Sequence, residues 1–118
     1  MGIKFVIDAE EGVIYSVGEG TVTAEDVHAH RKNLRADPNF SPDLAHIMEF
    51  RMSSFVISDE ESKALAAALP VDHTRKTALV SVEPYKRWAD WYRELIMDRI
   101  QVEIFTDLGS AKKWVTSD

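Results

Sequence analysis

Thr77-Ala78-Leu79-Val80-Ser81-Val82 carries an apolar or small side chain at nearly every position. A strand wetted on one face alternates apolar and polar residues, whereas a strand covered on both faces does not. This run therefore predicts a central strand of a parallel sheet lying between helices. Pro84 follows where a first helical residue is expected, since the N–H it lacks has no partner there in any case. Tyr85, Trp88, Tyr92 and Leu95 then recur at helical spacing. Upstream, Ser58-Asp59-Glu60-Glu61 has the form of a capping box, with the Ser58 hydroxyl serving an N-terminal amide and Glu61 reaching back to the Ser58 amide. Leu65, Ala66 and Leu69 form the inward stripe of that helix, and Pro70 closes it.

The pattern extends in both directions. Lys4–Asp8 predicts a strand, Glu10-Glu11-Gly12 a tight turn, and Val13–Val17 a second strand antiparallel to the first. Gly18 and Gly20 then turn the backbone away toward a helix capped by Thr23, with Glu25 and Asp26 in its first turn. Val27, His30, Arg31 and Leu34 lie along one side of this helix, which ends before Asp37-Pro38. Asp37–Pro42 is a loop, Leu44–Phe50 a third strand, and residues 51–57 an irregular connection. Gln101–Phe105 predicts the last strand, and Leu108, Ala111, Trp114 and Val115 mark a closing helix. The order β-β-α-β-α-β-α-β-α is an α/β fold in one domain, residues 1–118. Its mixed five-stranded sheet is largely parallel, with right-handed crossovers and one antiparallel hairpin strand.

Composition narrows the function. With 14 basic against 20 acidic residues the formal charge is −6, which argues against nucleic acid as a partner. The basic groups at Arg31, Lys32 and Arg35, and at Arg75 and Lys76, are expected to be solvated faces. There is no cysteine, so disulfides, a thiol nucleophile and thiolate metal sites are excluded. Met1 to Asp8 has no basic region followed by a long apolar run, which predicts no signal peptide. The apolar stretches are far too short for a transmembrane segment. A cytoplasmic protein is expected.

Gly20-Thr21-Val22-Thr23 before the first helix, the Asp37-Pro38-Asn39-Phe40 loop, and Glu49-Phe50-Arg51 are the local features of a wider pattern. It includes Val102-Glu103-Ile104-Phe105-Thr106-Asp107, with Ala111 and Trp114 beyond. Over nearly its whole length the chain resembles the anti-sigma-factor-antagonist (STAS) fold. More closely, it is similar to small bacterial STAS-like proteins also grouped with lipid-binding CRAL-TRIO domains. The resemblance implies a regulatory or binding module that recognises a partner protein or a small apolar ligand such as a lipid. In phosphorylated STAS switches an Asp-Ser-Ser-Gly-like motif carries the modified serine, and by position it falls on Ile57-Ser58-Asp59-Glu60. Asp59 stands where the resemblance implies the phosphorylated hydroxyl, and acids beside it would repel a phosphate on Ser58.

The remaining chemistry is sparse. His28 and His30 lie about 200° apart around a helix and cannot chelate one ion together. His46 shares the strand face of Leu44, Met48 and Phe50, and His73 falls in a loop. Neither a metal nor a cofactor is expected. Gly18-Glu19-Gly20 lacks the third glycine and the lysine of the phosphate-binding fingerprints, and no Gly-x-Ser-x-Gly elbow exists. Open α/β sheets bind ligands at the carboxyl ends of their strands, where Glu49, Arg51, Ser53, Ser54, Ser81, Glu83, Thr106 and Asp107 gather. The expected ligand or partner surface joins Glu49, Arg51, Phe55, Val56, Ile57, Ser58 and Trp91. Phe55-Val56-Ile57 is an apolar run in a short connection, and Trp91 lies about 60° off the stripe of Trp88 and Tyr92. The alternative is a small enzyme with an acid–base site at Glu49, Arg51 and Glu83. No nucleophile accompanies those groups, so the module leads. A homo-oligomer is compatible with either.

Overall fold

The computed structural model describes residues 2–68, 75–80 and 86–117, with the backbone alone described at 51–55 and 86–87. Ser81, Glu83 and His73, named above, lie outside the described residues, as do the side chains of Arg51, Ser53, Ser54 and Phe55. The element order is the expected one: β1 (Gly2–Asp8), β2 (Val13–Thr23), α1 (Ala24–Ala36), β3 (Ala45–Val56), α2 (Asp59–Ala67), β4 (Lys76–Val80), α3 (Lys86–Ile96), β5 (Gln101–Phe105) and α4 (Leu108–Thr116). The five strands form one sheet in sequence order, with β1 antiparallel to β2 and every other neighbouring pair parallel.

Local chemistry places these elements. Gly12 has φ +72°, a left-handed turn that closes the hairpin as its N–H donates to Asp8 O at 2.9 Å. Thr23 caps α1 in a reciprocal box: Thr23 Oγ1 accepts from the Asp26 amide at 3.3 Å, and the Asp26 carboxylate accepts from the Thr23 amide at 2.8 Å. The Ser58–Glu61 box at the start of α2 has the same form, at 3.1 and 2.9 Å.

Two strands run on past their expected ends. Gly18 and Gly20 do not turn the chain out of the sheet. The register between β2 and β3 shifts between Val17 and Glu19, and then Glu19–Thr23 pairs with Met52–Val56. Gly20, at φ +64°, bends the strand there without ending it. The irregular connection expected at 51–57 is thus mostly strand, and the two extensions pair with each other beyond the last described β3–β4 pair, Glu49 with Val80.

Period-two alternation divides the core between the faces. Val13, Ala45, Ile47, Ala78 and Val80 pack against Ala111 and Val115 of α4. On the other face, Phe50, Leu79 and Val102 pack against Leu65 of α2 and Tyr92 and Ile96 of α3, while Ile14 packs with Leu34 of α1. The interior strand β4, between β3 and β5, is buried from Lys76 to Val80, as expected of a strand covered on both faces.

Three of the basic residues expected in solvent are engaged with helix ends instead. Lys76, in the α4-facing register of β4, is buried and donates to Trp114 O at 3.0 Å and Ser117 O at 2.9 Å. Its Nζ also lies 5.0 Å from the Trp114 ring centre. Arg75 donates to Val115 O at 2.7 Å, and half-buried Arg31 donates to Leu65 O at 2.8 Å. The cause is common to all three: the last carbonyls of a helix have no partner within it and carry the negative end of its dipole.

Because the Ser58 hydroxyl serves an otherwise orphaned amide, Ser58→Ala is expected to cost about 1 kcal/mol of stability. Urea melts read this directly, and an unchanged midpoint would contradict the role of the cap.

Candidate functional site

On the face covered by α1, α2 and α3, β2 and β3 carry two polar residues inward. Ser16 follows Ile14 on β2, and His46 lies on the neighbouring strand β3 on the same face, diagonally from it. From α1, His30 descends between them. Ser16 Oγ lies 2.8 Å from His30 Nε2 and 2.7 Å from His46 Nε2. The imidazoles stack, with centroids 5.6 Å apart and planes 25° from parallel. Phe5 of β1 sets its ring edgewise to His30 at 5.7 Å. All three polar side chains are buried: Ser16 is 1% exposed, His30 5% and His46 2%.

A hydroxyl has one proton to give and accepts through its lone pairs. Ser16 can therefore donate to at most one Nε2, so at least one of the two rings carries its proton at Nε2 and donates to Ser16 Oγ. The cluster fastens α1 to the junction of β2 and β3. A serine beside a histidine also suggests a nucleophile with its base, but here Ser16 stands behind the rings and is not in the cavity wall. No reacting carbonyl reaches its Oγ without displacing a buried imidazole.

Above this cluster lies a cavity of about 80 Å³. Met48, Phe50 and Leu79 form its floor on the sheet, and Leu65, Trp88 and Ile96 are among its helical walls. The lining runs from buried Leu79 and His46 out to half-buried Ile57 and Phe40 and exposed Arg35, so the space reaches the surface. Trp88 and Tyr92 stack at 5.0 Å, and Trp88 Nε1 donates to Ser62 Oγ at 3.2 Å. Tyr92 Oη accepts from Arg31 at 3.0 Å. Burial raises the Tyr92 phenol above its ordinary pKa, with Arg31 opposing part of that effect, so the phenol keeps its proton.

The residues expected to form the site separate around this geometry. Ile57 lines the cavity. Val56, beside it at the end of β3, is 63% exposed. Ser58 caps α2, and Trp91 is half-buried on α3 outside the cavity lining. Glu49 alternates with Ala45 and Ile47, which puts it on the α4 face, across the sheet from the cavity. The arrangement of the histidines differs from the dispersal expected: His30 and His46 converge, while His28 is exposed. Among the described residues, no three histidine or acidic side chains are grouped as a metal site would require.

In architecture the chain matches a known crystal structure, that of an uncharacterized DUF3478-family protein from Shewanella loihica PV-4 described as having a SpoIIAA-like fold. The match has a TM-score of 0.67 at 15% sequence identity and covers 97% of this chain and 93% of that one. The fold is SpoIIAA-like. It is the STAS-like architecture that the sequence resembles, and at this identity the likeness carries the fold alone. No family model and no curated protein sequence matches the chain. Within the SpoIIAA-like fold, the start of α2, where phosphorylated STAS switches carry their serine, is here held by the Ser58 cap with Asp59, Glu60 and Glu61 in the first turn. Among the described residues, no helix is long and apolar enough to cross a membrane.

Ser16→Ala removes the oxygen on which both Nε2 atoms converge. Leaving buried polar groups without their bond costs about 1–3 kcal/mol each, so a loss of about 2–4 kcal/mol is expected in chemical denaturation. A loss below about 0.5 kcal/mol would contradict the fastening role.

Proposed function

We propose that this chain is a cytoplasmic, non-catalytic STAS-like binding module that takes a small apolar ligand into the cavity between its sheet and α1, α2 and α3. One observation carries this reading: the interior of a small domain keeps an open apolar space, whereas protein cores are packed to crystal-like density with few voids larger than a water. Its polar neighbours are held among themselves, Ser16 with the two histidines and Trp88 with Ser62, so the walls favour apolar contact. In the same proposal Ile57 belongs to the ligand wall. Arg51, Phe55, Val56, Ser58 and Trp91 belong in this proposal to a surface toward a regulatory protein partner, a role favoured by the outward position of Val56, and Glu49, on the α4 face, stands apart from it.

Size sets the ligand. An engineered cavity of about 150 Å³ takes benzene; this one has about half that volume. It suits a chain of about four carbons. At about 0.8 kcal/mol per buried methylene, such a chain gains about 3 kcal/mol, which corresponds to millimolar affinity.

Titration with 1-butanol, followed by methyl NMR, is expected to shift the Ile57, Leu65, Leu79 and Ile96 signals with a millimolar Kd. Val27→Phe, which fills the space from α1, is expected to abolish those shifts while the spectrum stays native. Shifts elsewhere, or none, would contradict the proposal.

A further inference from the structure

The chain carries 20 acidic and 14 basic residues, yet among the described residues Arg31 and Arg35 are the charged groups lining the cavity, and no aspartate or glutamate does. This selection runs against the charge of the chain as a whole. Arg31 is held by two neutral oxygens, Leu65 O and Tyr92 Oη. Among the described residues no carboxylate pairs with it. Its guanidinium has five N–H groups, and these two bonds occupy two of them.

Tyr92 completes the arrangement. Its oxygen accepts from Arg31, so its own O–H proton remains to be given, and no described residue accepts it. The phenol is buried in the cavity wall. A phenol that receives a hydrogen bond from a cation becomes a better donor itself. The cavity thus offers a hydrogen-bond donor backed by positive charge, beside apolar walls.

We infer that the ligand is a short-chain monocarboxylate of about four or five carbons, its tail on the apolar walls and its carboxylate at Tyr92 Oη, beside Arg31 and Arg35. The inference rests on the cavity being a ligand site, as proposed above. It adds the ligand's charge. An alkylammonium of the same length would meet the Arg31 guanidinium, which no described carboxylate pairs. An alcohol would fill the walls and take the Tyr92 hydrogen bond without the charge assistance, which roughly doubles the strength of such a bond.

Three probes of one length separate the possibilities: pentanoate, 1-pentanol and pentylammonium, each titrated into the full chain and followed by methyl NMR. Pentanoate is expected to bind at least tenfold more tightly than 1-pentanol, with pentylammonium weakest. Tyr92→Phe is expected to weaken 1-pentanol slightly and pentanoate much more, bringing the two to within about threefold, and the 1-pentanol binding that remains shows that the variant keeps its cavity. If 1-pentanol or pentylammonium binds as tightly as pentanoate, the carboxylate inference is overturned and the apolar cavity site stands. If pentanoate keeps its advantage in Tyr92→Phe, the assignment to the Arg31–Tyr92 pair is overturned. If none of the three moves the cavity methyl signals, both readings fail.

Discussion

Ser16 places one hydroxyl between two buried imidazoles, 2.8 Å from His30 and 2.7 Å from His46, and the face of the sheet under α1, α2 and α3 is organised around it. Burying three polar side chains without bonds would cost several kcal/mol. Meeting at one oxygen gives each of them a hydrogen bond and draws three segments distant in sequence to a single point. Once α1 is fixed there, Arg31 on its next residue reaches Leu65 O of α2 and Tyr92 of α3. The position of the cavity follows from the same anchor, since His30 and His46 form part of its wall.

A second constraint is the set of carbonyls that every helix leaves unpaired at its C-terminus. The last turn of α2 contains no basic residue of its own. Its carbonyls at Leu65, Ala66 and Ala67 are taken by Arg31 from α1 and Arg99 from the turn after α3. The end of α4 is served by Arg75 and Lys76 at the start of β4. Cations in an acidic chain are thus directed to the negative poles of neighbouring helices. Arg31 does this at the wall of the cavity, where the same charge faces the interior.

Much of the fold is legible in the residues because it is local. Caps at Thr23 and Ser58, the Gly12 turn and the unbroken apolar run of β4 each announce an element within a few positions. The ends of β2 and β3 are not local. Their extensions pair chiefly with each other, and Gly18, Gly20, Ser53 and Ser54 interrupt the apolar alternation that marks a strand in isolation. The candidate site is legible only in pieces. His30 stands in the inward stripe of its helix and His46 on an apolar strand face, both visible in sequence. Their meeting depends on β2 lying beside β3 with α1 above, and a lone serine between Tyr15 and Val17 gives no sign of two partners. Arg31 and Lys76 were equally hidden, because the oxygens they serve belong to other elements.

The central claim is that one hydroxyl holds two imidazoles, and the count of its protons is measurable. Long-range proton–nitrogen correlation NMR on the imidazole rings at neutral pH reports which nitrogen of each histidine carries its proton. With one proton to give, Ser16 can serve at most one bare Nε2, so at least one of His30 and His46 must carry an N–H at Nε2. Finding both Nε2 atoms without a proton, or either ring averaging freely between forms as a solvent-exposed histidine does, would contradict the account.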